Sequence, residues 1–175
     1  GADEEFETAS TIKAYILAVL YLQASRGKAS LTEEIEYRPE HFVDGSGMLR
    51  ALGVGAKLKV KDTATMMIIC SDNIATNMVI DYLGLETINA CIKELGFAHT
   101  VLHNPLHFDR YEKLGTTTPR DYASLFAQWP RAPSSAPRPA PRCWPSSASS
   151  TTTPCWRAAS PRITPTPKNP TRIRI

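Results

Sequence analysis

The sequence predicts a mainly α-helical domain over residues 1–128, followed by an irregular, proline-rich segment over residues 129–175. In the first segment, apolar residues recur at helical spacing between glycines that end helices and a Thr-Pro signal that begins one. The second segment holds 11 of the 14 prolines and all three tryptophans. Prolines at this density prevent both helical and sheet hydrogen bonding from continuing, so no regular structure is expected there.

The predicted helices differ in their surroundings. Residues 9–25 are apolar almost all round, which is typical of a helix buried at the centre of a domain. Asp62 or Thr63 is expected to cap a second helix, which ends at Ser71-Asp72-Asn73. The other expected elements are helices at residues 74–83, at residues 86–95 and after Thr116-Thr117-Thr118-Pro119, joined by a turn-rich segment at 31–47 and a loop-like segment at 97–115.

Charge divides the chain at the same place as proline content. Residues 1–128 hold all 17 acidic residues and 12 basic ones, a net charge of −5, whereas residues 129–175 carry eight basic residues and no acid. This division argues against a uniformly basic, nucleic-acid-binding protein. Two interpretations of the tail stay open: a disordered basic arm for an acidic partner, or out-of-frame translation of a GC-rich gene, in which case the tail is not native sequence.

Nothing in the sequence predicts a metal, a cofactor or a membrane span. The four cysteines lack metal-ligand spacing, and Pro105 argues against a helix that would align His99, His103 and His107. No apolar run reaches membrane-spanning length, and the acidic start at Asp3-Glu4-Glu5 is unlike a signal peptide. A soluble monomer is expected, periplasmic or secreted if a parent protein carried a signal peptide.

Two short motifs carry the chemistry. Ser10 and Lys13 lie three residues apart at the start of the apolar helix, so they share one face, and Ser71-Asp72-Asn73 follows 61 positions after Ser10. A serine hydroxyl becomes a nucleophile when a base removes its proton, and a buried lysine with a pKa of roughly 7–8 is such a base. The alternative, non-catalytic interpretations are a helix cap with a solvated lysine for Ser10 and Lys13, and a simple turn for Ser71-Asp72-Asn73. A second match, Ser25 with Lys28, lies at the end of the helix and is interpreted as surface.

These motifs resemble those of the class A β-lactamases and related penicillin-recognising serine hydrolases. Glu36-Tyr37-Arg38-Pro39, Gly96-Phe97 and Thr116-Thr117-Thr118-Pro119-Arg120 extend the resemblance, which covers residues 5–128. It implies the helical lobe of the α/β serine β-lactamase/transpeptidase-like fold, with most of the antiparallel sheet missing.

The resemblance also implies roles for individual residues. Ser10 would be the acylated nucleophile, with its backbone N–H in the oxyanion hole, and Lys13 a base or proton relay. Ser71 would pass a proton to the leaving nitrogen. Asn73 would orient the substrate amide and Lys13, while Asp72 would brace the connector.

Two departures from the family pattern bear on activity. Asp109-Arg110-Tyr111-Glu112 is similar to the start of the family's omega loop, which would make Glu112 the water-activating base for deacylation. The segment then runs directly to Thr116, where the family has an asparagine, and the alternative is an exposed loop glutamate. The Lys-Thr-Gly motif that binds the substrate carboxylate is absent from the sequence.

Four functions are therefore consistent with the sequence. The first is acyl-enzyme hydrolysis of a β-lactam amide, with a small-molecule substrate and no nucleic-acid partner. The second is a D,D-peptidase or esterase of the same superfamily. The third is a catalytically inactive, truncated or frameshifted fragment. The fourth is an interaction protein with a basic arm, which would bind an acidic polymer in a salt-dependent way.

Overall fold

The computed structural model describes residues 1–107 and 113–128. Over these residues the fold is mainly α-helical with a small sheet, as predicted. The helices are α1 (Ile12–Ser25), α2 (Val60–Ile69), α3 (Asn73–Leu83), α4 (Leu85–Glu94) and α5 (Pro119–Gln128); the strands are β1 (Phe6–Glu7), β2 (Glu34–Glu36), β3 (Lys57–Lys59), β4 (Val101–Leu102) and β5 (Gly115–Thr117).

Helix α1 lies at the centre of the domain. Ile12, Ile16 and Val19 are fully buried, and the helix contacts α2, α3 and α4. The prediction of a central helix from all-round apolarity is confirmed. The structure adds a 3₁₀ turn, Ala9–Thr11, before α1, so Ser10 lies in this tighter turn.

The strands form two small sheets, one with the order β1-β5-β4 and one that pairs β2 with β3, and all pairs are antiparallel. Strand β5 is central: Thr116 pairs with Glu7 on one side and with Val101 on the other. Strand β4 and Gly115 of β5 fall in the segment 97–115 expected to be loop-like, whereas β1 lies near the start of the chain, where the sequence predicts no element. They are two or three residues long, too short to show an alternating pattern in the sequence.

The start of α2 differs from the prediction. The helix begins at Val60 after Lys59, and neither Asp62 nor Thr63 caps it. Strand β3 runs straight into the helix, and the backbone N–H of Val60 donates to the carbonyl of Glu33 at 2.8 Å. A tertiary contact therefore replaces the side-chain cap.

The three histidines at residues 99, 103 and 107 lie in a turn and in loop segments on either side of β4, and not on a helix, as expected from Pro105. Within the described ranges, no group of His, Cys, Asp and Glu side chains is arranged to hold a metal. Every helix in these ranges is too short or too polar to cross a bilayer. Glu112 and the segment 129–175 lie outside the described residues.

Candidate active site

The 3₁₀ turn presents Ser10 at the surface. Ala9, directly before it, has a φ of 42°, a left-handed conformation unusual for a residue other than glycine. The turn is attached to the sheet, because the backbone N–H of Thr8 donates to the carbonyl oxygen of Gly115 in β5 at 2.9 Å. The side chain of Ser10 is therefore exposed on a backbone that the sheet fixes.

Lys13, one turn further along, is buried, with 3% of its surface exposed. Its ammonium donates to the Ser71 carbonyl oxygen at 2.8 Å, to Ser71 Oγ at 3.0 Å and to Asn73 Oδ1 at 2.9 Å. Desolvation lowers the pKa of Lys13 to about 8, and the negative charge of Asp72 partly opposes this shift. The amine thus titrates in the range that a general base near neutral pH requires.

Ser71 joins Lys13 to Ser10. Its hydroxyl donates to Ser10 Oγ at 3.2 Å while accepting from Lys13 Nζ, so the three groups form one hydrogen-bonded chain. Ser71 has a φ of 50°, again left-handed. Such backbone conformations persist only where the surroundings impose them, and they are concentrated at functional sites.

Asn73 is held so that its oxygen faces Lys13. Its Nδ2 donates to the carbonyl oxygen of Asp44 at 3.0 Å, and its backbone N–H donates to Ser46 at 2.9 Å. Because the amide nitrogen is committed to Asp44, the amide oxygen points to the amine. No functional role for the segment around Asp44 follows from the sequence, although Gly45 and Gly47 mark it as turn-rich.

Asp72 braces the connector, as expected. Its carboxylate is fully buried and accepts from the backbone N–H groups of Met48, Leu49 and Ala75. Gly47 packs directly on it, since a Cβ at this position would lie 2.3 Å from Asp72 Cγ. Asp72 therefore locks the loop that carries Asp44 and Ser46 onto the connector that carries Ser71 and Asn73.

The second Ser-x-x-Lys match has none of these features. Ser25 is exposed, and its hydroxyl donates to the carbonyl of Leu22 within its own helix at 2.8 Å. Lys28 is also exposed. The interpretation of this match as surface is confirmed, and it provides a matched control for the first.

An open groove of about 380 Å³ adjoins Ser10, Lys13 and Ser71. Its remaining lining comes from the 3₁₀ turn, α1, α2 and α5. These residues are Thr11, Ala14, Leu17, Met67, Ile68, Tyr122 and Phe126.

The chain matches a family model described as "Beta-lactamase enzyme family" over residues 1–131. The chain belongs to this family. Among solved structures, a PBP-A variant determined as an acyl-enzyme complex with penicillin G is 35% identical with a TM-score of 0.67, and covers 73% of this chain and 48% of its own. A β-lactamase from Sphaerobacter thermophilus is 33% identical, with a TM-score of 0.65 and coverages of 71% and 48%.

An ancestral class A β-lactamase is 28% identical, with a TM-score of 0.63 and coverages of 71% and 50%. No curated protein sequence matches the chain. This family member therefore spans about half the length of the solved structures that it resembles.

Proposed function

We propose that this β-lactamase-family chain is a serine hydrolase whose Ser10 is acylated by a β-lactam or a related small amide or ester. The observation that carries the proposal is the hydrogen-bonded chain from Lys13 through Ser71 to Ser10, at distances of 3.0 Å and 3.2 Å. It joins a nucleophile to a base of suitable pKa without a histidine. That a PBP-A variant holds penicillin G as an acyl-enzyme supports this function.

The proposed step begins with the uncharged form of Lys13. With a pKa of about 8, about one Lys13 side chain in ten is uncharged at pH 7. Ser10 Oγ attacks the carbonyl carbon while its proton passes through Ser71 to Lys13. The carbonyl C–N bond then breaks, and the leaving nitrogen takes a proton back through Ser71. Asn73 holds Lys13 in place and orients the substrate amide, and the Ser10 N–H stabilises the oxyanion.

Deacylation separates the two enzymatic alternatives. A hydrolase that turns over β-lactams needs a base for water, and Glu112 is the candidate. Only two residues, Lys113 and Leu114, separate Glu112 from strand β5 at Gly115–Thr117. This short connection favours a long-lived acyl-enzyme, and with it the D,D-peptidase or esterase alternative.

The test is intact-protein mass spectrometry after incubation with penicillin G. We expect the wild type to gain the mass of the whole β-lactam, because ring opening releases no fragment. Ser10→Ala should show no increase in mass. Ser25→Ala, in the exposed second Ser-x-x-Lys match, should be labelled like the wild type. Labelling that survives Ser10→Ala would refute the nucleophile assignment, whereas an unlabelled wild type would identify an inactive fragment.

A further inference from the structure

The groove beside Ser10 is apolar along most of its length. Leu17, Ile68 and Phe126 form part of its wall, and Ile68 and Phe126 are 40% and 54% exposed. Exposed apolar side chains that converge on a nucleophile are unusual for a soluble domain and are typical of ligand sites. Because Ser10 and Ser71 line the same groove, a molecule lying in it reaches the reacting hydroxyl.

The described residues that line the groove offer no free positive charge. Of these ten, only Lys13 is charged, and its ammonium is already surrounded by three oxygen acceptors from Ser71 and Asn73. Arg120, on the same helix as Phe126, is paired with Asp3. A carboxylate that entered this groove would lose its hydration without gaining a cation, which is strongly unfavourable.

We propose that the groove binds the uncharged, apolar acyl group of carboxylic esters, so that the Ser10 centre prefers neutral acyl esters to acyl donors that carry a carboxylate. This inference rests on the proposed acylation of Ser10 and names its substrate class. The acyl chain lies along Leu17, Ile68 and Phe126, and the ester carbonyl is placed at Ser10 Oγ.

The chemistry balances with water as the only co-reactant. Ser10 Oγ forms a bond to the acyl carbon, and the bond from that carbon to the alkoxy or aryloxy oxygen breaks. The Ser10 proton passes to Lys13 and from there to the departing oxygen, so the alcohol or phenol leaves and Lys13 is again uncharged. The oxygen of water then forms a bond to the acyl carbon as the Ser10 ester breaks, one water proton passes to Ser10 Oγ, and the carboxylic acid leaves.

The test uses 4-nitrophenyl esters, whose leaving group is constant while the acyl group changes. For the full chain we expect kcat/KM to rise about fourfold for each methylene from acetate through butyrate to hexanoate, the gain from moving one CH₂ out of water. The glutarate half-ester, similar in length to hexanoate but ending in a carboxylate, should react at least tenfold more slowly. Ser10→Ala gives the background rate for every ester.

A matched pair of variants assigns the effect to the groove. Ile68 lines it, whereas its neighbour Ile69, 71% exposed, is not among the lining residues. Ile68→Lys should lower the hexanoate rate and raise the glutarate rate, changing their ratio at least tenfold. Ile69→Lys should leave the ratio unchanged, and circular dichroism of both variants confirms that they fold.

The outcomes separate this inference from the proposed function. Suppose that ester hydrolysis requires Ser10 but its rate does not vary with the length of the acyl chain, or is the same for the glutarate and hexanoate esters. Either result overturns the assignment of the groove and is compatible with Ser10 as the nucleophile. An equal change of ratio in Ile68→Lys and Ile69→Lys also overturns it. Hydrolysis that is identical in Ser10→Ala and wild type overturns the proposed function and the inference together.

Discussion

At the scale of single residues, the buried amine of Lys13 couples chemistry to folding. Its pKa is lowered to about 8 in the folded chain from an ordinary value of 10.5. Between these values the unfolded chain binds more protons than the folded one at this site. Lys13 therefore makes the free energy of unfolding increase as the pH rises through this window, and its charged form opposes folding below pH 8.

The same pKa predicts how the rate of acylation depends on pH. Because only uncharged Lys13 accepts the Ser10 proton, the rate of covalent labelling by penicillin G should rise about tenfold per pH unit below pH 8 and level off above it. Time courses by mass spectrometry between pH 6 and pH 9 measure this profile. A rate that stays constant across that range would contradict Lys13 as the base.

At the scale of elements, the connector between α2 and α3 and the loop before Met48 behave as one unit. Asp72 joins them through three backbone N–H groups, and Asn73 through Asp44 and Ser46. The loop before Met48 belongs neither to Ser10–Lys13 nor to Ser71–Asn73, yet it holds Asn73, which accepts from Lys13 Nζ, in place.

The tightest point of this unit gives a stability prediction. Gly47→Ala would place a Cβ 2.3 Å from Asp72 Cγ and 2.7 Å from Asp72 Cα, so the loop or the connector must shift. We expect a loss of unfolding free energy of about 3 kcal/mol or more, from overpacking added to left-handed strain. Urea denaturation measures the loss.

Gly53→Ala is the control, because Gly53 also has a positive φ of 78° but no atom within 4 Å of the added Cβ. It should lose only about 1 kcal/mol, the cost of the left-handed conformation alone. Equal losses in the two variants would show that contact with Asp72 is unimportant.

The sequence predicts these elements to different degrees. Helix α1 and the interruption at Ser71 follow from apolar spacing and turn residues, which act locally. The orientation of Asn73 does not, because it depends on a carbonyl 29 residues earlier in the chain. The sequence does not predict the apolar groove either, because Leu17 and Phe126 are 109 positions apart and each resembles an ordinary core residue of its own helix.

At the scale of the whole molecule, the hydrophobic core that the structure describes is built between Ile12 and Leu125. Removal of residues 129–175 should therefore change the melting temperature by less than about 4 °C, which corresponds to less than about 1 kcal/mol for a domain of this size. Differential scanning calorimetry of the shortened and full-length chains makes the comparison. A larger drop would show that the tail contributes to the folded core and would argue against out-of-frame translation.

The left-handed residues Ala9 and Ser71 have a consequence for engineering and evolution. Each conformation costs about 1–3 kcal/mol, a sizeable part of the 5–15 kcal/mol that keeps an ordinary domain folded. A selection for thermostability alone would reward substitutions that relax these two positions. The same substitutions would release the fixed spacing of the two serine hydroxyls on which the proposed acylation depends, so selection for stability would act against the proposed activity.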